Sequence, residues 1–133
     1  YNFKILHLTI MLVITKGMQS DIMVTLQDSI TLLNPYYLFV FTNISTKEEL
    51  KVIVNSADDK SNFPNRINTF EIDIDLFDDL QTGQYIYEVY EQLSSTNLIT
   101  TGLNLVENGR MILKAVGETT NYLTGYSPQT QFV

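Results

Sequence analysis

Apolar residues in this chain recur at every second position, and no segment carries a convincing 3.6-residue period. That pattern restricts the fold to strands. Ile22, Val24 and Leu26 share one face. Residues 36–42 (YYLFVFT) are continuously aromatic or apolar, as in a strand buried on both sides, and Asn34-Pro35 before them is a turn signal. Residues 50–54 (LKVIV) form another short strand. Residues 67–76 alternate, with Asn68, Phe70, Ile72, Ile74 and Leu76 on one side and Ile67, Thr69, Glu71, Asp73 and Asp75 on the other. Gly83 opens QYIYEVYEQ, where Tyr85, Tyr87 and Val89 oppose Ile86, Glu88 and Tyr90. Residues 98–105, with Gly102, read as a bulged strand. Asn108-Gly109 is the strongest hairpin signal, with a last strand over 111–116. Thr46-Lys47-Glu48-Glu49 resembles a capping box, but no helical run follows, so it supports one turn at most. The expected core is Phe39, Phe41, Ile72, Ile74, Ile86 and Val89.

Short strands separated by turn chemistry predict an all-β chain: a single antiparallel β-sandwich, immunoglobulin-like, with extended terminal arms. At 133 residues there is material for one core. The expected division is an N-terminal arm or first strand over 1–17, the sandwich over 18–118 and a C-terminal arm over 119–133. Residues 3–14 are too short an apolar run for a membrane span, and no small-x-small cleavage site follows them. The chain opens on Tyr1, and Met11 and Met18 are possible translation starts.

Composition removes several kinds of chemistry. There is no cysteine, hence no disulfide, thiol nucleophile or zinc knuckle. The lone His7 sits in an apolar run, a poor setting for a general base. A net charge of −7 with two arginines, Arg66 and Arg110, argues against nucleic acid. No Gly-rich phosphate loop is present. The acidic stretch holding Asp73, Asp75, Asp78 and Asp79 lacks the order of a calcium loop and reads as a solvated face, so neither a metal nor a cofactor is expected. Glu88 and Glu91, three apart on one strand, point to opposite faces and cannot flank a glycosidic bond. The sequence therefore predicts a non-enzymatic protein.

Some strings carry more than their chemistry. Residues 33–43 (LNPYYLFVFTN), 83–92 (GQYIYEVYEQ), 94–98 (SSTNL), Gly102-Leu103 and 106–111 (VENGRM) occur in that order. Over roughly residues 11–116 the chain resembles a family of small virion structural proteins of tailed bacteriophages, crAss-like and related gut phages. The resemblance implies a virion location, as a capsid auxiliary or decoration protein, a head-fibre base or a tail component. It transfers no binding residues.

Both ends fit an assembly role. Residues 1–14 are apolar, and 119–133 are uncharged with Tyr122, Leu123, Tyr126, Phe132 and Val133. Phe3, Ile5, Leu8, Tyr122, Tyr126 and Phe132 are the expected interface residues. Their expected partners are other copies of the chain, the major capsid protein or neighbouring structural subunits, with no membrane and no nucleic acid. Rival expectations are a carbohydrate-binding adhesion module using the Tyr85/Tyr87 face, and a calcium-stabilised domain built on the Asp73–Asp79 stretch.

Overall fold

The computed structural model describes residues 11–64, 66–73 and 75–116. Seven strands follow in order: β1 (Met11–Thr15), β2 (Ser20–Val24), β3 (Tyr36–Asn43), β4 (Glu49–Asn55), β5 (Asn68–Ile72), β6 (Gly83–Gln92) and β7 (Asn104–Lys114). A 3-10 turn, Ser56–Asp58, is the only helical element among the described residues. Five strands form a curled sheet in the order β1-β7-β6-β3-β4, and β2 and β5 form a second sheet.

The period-two reading holds for β2, β6 and, as far as Ile72, β5; β3 is buried on both faces, as its continuous apolar run predicts, and β4 is half-buried without alternation. Tyr37, Phe39 and Phe41 of β3 point inward with Tyr85, Tyr87 and Val89 of β6, and all six are buried. Ile22 and Val24 of β2 and Phe70 and Ile72 of β5 close over them. Aromatic edges stitch the sheets: Phe70 meets Tyr37 at 5.7 Å and Phe39 at 6.2 Å between ring centres, both edge-on. Phe77, from the β5–β6 connection, stands edge-on to Phe41 at 5.3 Å and plugs one end. On the opposite face of β3, Leu38 and Val40 are buried too. Residues 93–103 fold over that side, held by the Gln92–Asn97 amide pair and by Lys51 Nζ donating to Leu98 O at 2.9 Å.

Five expectations are corrected. The large sheet is mixed: β1 runs parallel to β7, so an antiparallel description fails at this edge. The strand expected over 67–76 ends at Ile72. The chain then turns, and Phe77 and Leu80 supply the buried side chains beyond. Residues 98–103 are not a strand; Gly102, at φ 82, sits in a turn and β7 starts at Asn104. Asn108-Gly109 is not a hairpin but the middle of β7. The cause lies across the ladder, where a Cβ on Gly109 would stand 2.8 Å from Tyr87 Cε1, so glycine lets that ring cross the strand. Ile86, expected in the core, is 44% exposed, because it has the parity opposite to Tyr85 and Tyr87. Ile74 lies outside the described residues.

Candidate interaction site

The inward face of β6 and β7 ends in two carboxylates. Glu91 follows Tyr85, Tyr87 and Val89 in phase and is 2% exposed. Its carboxylate accepts from Thr31 N–H (2.9 Å), Thr31 hydroxyl (2.7 Å), Leu32 N–H (3.0 Å) and Asn104 Nδ2 (2.6 Å). Burial pushes its pKa up, but the hydrogen bonds from Asn104, Thr31 and Leu32 outweigh burial and leave it below the usual value. Glu107 accepts from Thr25 N–H (2.9 Å), Thr25 hydroxyl (3.0 Å) and Tyr87 hydroxyl (2.7 Å). Burial first, then the Glu107 charge and this hydrogen bond, raise the Tyr87 pKa, so it stays a protonated donor. A bulge between Val89 and Tyr90 fits Val106 into β7 and sets Asn104 beside Glu91. Both acids thus tie the β2–β3 crossing to the large sheet. They are structural clips whose acceptor positions are filled from within the chain.

Other candidate groups are engaged in the same way. Asn68, buried beside a cavity of about 590 Å³, accepts from Leu26 N–H and donates to Asp59 Oδ2 and Pro64 O. Tyr85 and Tyr87 are core residues and offer no face to a sugar, which corrects that expectation. Asp73, Asp75, Asp78 and Asp79 are exposed, and among the described residues no three acidic or histidine side chains gather in a metal-binding cluster. The interface candidates Phe3, Ile5, Leu8, Tyr122, Tyr126 and Phe132 lie outside the described residues, as does His7.

What remains open is backbone. β4 and β5 each stand at the end of their sheet, and among the described residues neither pairs with a further strand on its second edge. Asn43 N–H donates to Glu48 O and Ser56 N–H to Pro35 O, which fixes the phase of the β3–β4 ladder. Antiparallel alternation then turns the backbone groups of Leu50, Val52 and Val54 toward β3, and those of Glu49, Lys51 and Ile53 toward the open edge. On β5, Thr69 N–H donates to Asp59 Oδ1 and Thr69 O accepts from Lys60 N–H. Glu71, two residues on, has the same outward phase. Between the two edges runs a groove of about 600 Å³. Val52, Val54, Phe70, Ile72 and Leu76 give it an apolar lining, and Asp58, Glu71, Asp73 and Lys60 are its charged members. Lys60 stands 3.3 Å from Asp21 and 3.9 Å from Glu71.

Sequence reasoning missed both the clips and the groove. Glu91 had a signal, since it falls in phase with three buried residues. The groove had none, because a missing strand leaves no pattern of its own. In comparison with known proteins, no family model matches the chain and no curated protein matches it.

Proposed function

We propose that this chain is a non-enzymatic structural subunit of a bacteriophage particle, a capsid auxiliary or head-fibre base protein, that assembles through open strand edges of an immunoglobulin-like sandwich. Strand order supports the fold reading. Variable-type immunoglobulin sandwiches set a G-F-C-C′ sheet against B-E-D. Here β7-β6-β3-β4 stand in the order of the first, and β2-β5 in the order of B-E. Tyr85 adds local support: near the start of β6, it donates its hydroxyl to Gln81 O at 2.5 Å, as in the tyrosine corner of such domains.

The observation that carries the assembly reading is the contrast between interior and edge. Glu91, Glu107, Asn68 and Tyr87 are engaged in holding the fold, whereas among the described residues no strand pairs with the outer edges of β4 and β5, where Glu49, Lys51, Ile53 and Glu71 turn their backbone groups outward beside an apolar groove. Unpaired strand edges are templates for another chain. The phage setting rests on the resemblance, whose strings fall on β3, β6, residues 94–98 and the centre of β7. Mass spectrometry of purified particles tests it. The expected result is this chain at a fixed ratio to the major capsid protein; a chain found only in the soluble lysate would refute the setting.

A further inference from the structure

We infer that the groove between β4 and β5 receives residues 119–124 (TTNYLT) of a second copy of this chain as an added strand. The inference rests on the assembly reading above and names its partner. The groove occupies the place beside β5 where an immunoglobulin-like sandwich carries its D strand and where no strand lies among the described residues. The segment between β4 and β5 fills only its upper end, through Asp59 and Lys60 on Thr69.

Several features select the occupant. The edges are seven residues (β4) and five residues (β5) long. Residues 119–124 are a six-residue run with three Thr and one Tyr, residue types enriched in strands, bounded by Glu118 and Gly125, with Pro128 beyond. They carry no charge, which suits a groove whose charged members are mostly acidic and whose cation already faces Asp21 and Glu71. Tyr122 falls in phase with Thr120 and Thr124, so one face is aromatic and β-branched.

Distance assigns the strand to a second copy. β7 ends at Lys114, level with Gly83 and hence with the Glu49 end of β4. From β7 to a strand position beyond β4 the chain must pass β6, β3 and β4, four spacings or about 19 Å at roughly 4.8 Å per strand. From Lys114 to Thr119 the chain spans at most about 18 Å when fully extended. It must also go around the β3–β4 turn, where Asn43 Oδ1 accepts from Ser45 and Thr46 N–H. Residues 119–124 therefore cannot lie in their own groove from end to end, but they can lie in a neighbour's.

Two variants of the full chain test this. Ile53→Pro removes an edge N–H that β3 does not use and blocks the acceptor. Tyr122→Pro breaks the donor outside the described fold. At roughly 1 mM, where millimolar affinity suffices, sedimentation should show the unaltered chain as oligomers. Each variant alone should associate at least about tenfold more weakly. Mixed, they should form a one-to-one heterodimer, because one retains the donor and the other the acceptor; recovery in the mixture also reports that both are folded. A monomeric unaltered chain, or a Tyr122→Pro variant that associates undiminished, overturns the inference. A chain absent from particles that still shows this complementation refutes only the phage setting, and a monomeric chain found in particles refutes only the strand exchange.

Discussion

Replacing Glu91 by Gln tests whether the buried carboxylate acts as a charged clip. Its two oxygens take four donors from Thr31, Leu32 and Asn104. A glutamine can keep its carbonyl under the Thr31 and Leu32 N–H groups. Its NH2 then faces the Thr31 hydroxyl, which can rotate to accept, and Asn104 Nδ2, which cannot. Asn104 must turn over, giving up its 3.3 Å bond to Ser29 O, or stay unsatisfied. Two charge-assisted bonds are lost, each worth about 1.5–3 kcal/mol, against relief from burying a charge. The net expectation at pH 7 is a loss of about 2 kcal/mol, or several degrees in melting temperature. Because the folded pKa of Glu91 lies below its ordinary 4.5, the unfolded chain binds the proton first on acidification. The contribution is present above pH 4.5 and fades as pH falls through the folded value. Urea unfolding, followed by circular dichroism from pH 7 to pH 3, should show the gap between the two proteins closing on acidification. Equal stability at pH 7, or a gap that widens in acid, refutes the clip.

Phe39→Ala should destabilise by about 3–5 kcal/mol in urea unfolding, since the ring is fully buried against Phe41 and Phe70. Gly109→Ala should lose about 1–3 kcal/mol through the clash with Tyr87, and in a double-mutant cycle with Tyr87→Leu the two losses should fall short of additive. Tyr85→Phe should cost about 1 kcal/mol by removing the bond to Gln81 O, with the fold intact by circular dichroism. A chelator should leave the melting temperature unchanged; a rise of several degrees on adding calcium would show that the Asp73–Asp79 stretch holds an ion.

Particular residues show where sequence sufficed. In β2, β3 and β6 the core set is the period-two set, because a strand with one face on a core has only two phases. Ile86 illustrates the limit: hydrophobicity alone placed it inside, while phase placed it outside, and phase decided. Asn108-Gly109 failed for a tertiary reason. Its local preference for a turn is real, but Tyr87 requires a residue without Cβ at that point of β7. The parallel β1–β7 pair was illegible because strand direction leaves no mark on side-chain alternation. The run after Ile72 misled because Asp73, Asp75 and Leu76 continue an alternation that the backbone abandons.

The groove was illegible because its evidence is in the neighbours' burial. Leu50, Val52 and Val54 have the core phase of β4, yet all three stay only half-buried. Covering Val52, Val54 and Leu76, which line the groove, would gain about 1 kcal/mol each, and Tyr122 about 1.5–3 kcal/mol. About five new edge hydrogen bonds add about 1 kcal/mol each. Against this, ordering six residues costs about 6–12 kcal/mol. The two sides differ by only a few kcal/mol, so a single exchange between two copies should be weak and reversible. Firm attachment then requires several exchanges at once, in a closed ring or on a lattice that holds neighbours at high effective concentration. An open edge that binds weakly in pairs and tightly in arrays is what the proposed particle subunit would need to avoid assembling before neighbours are gathered on a surface.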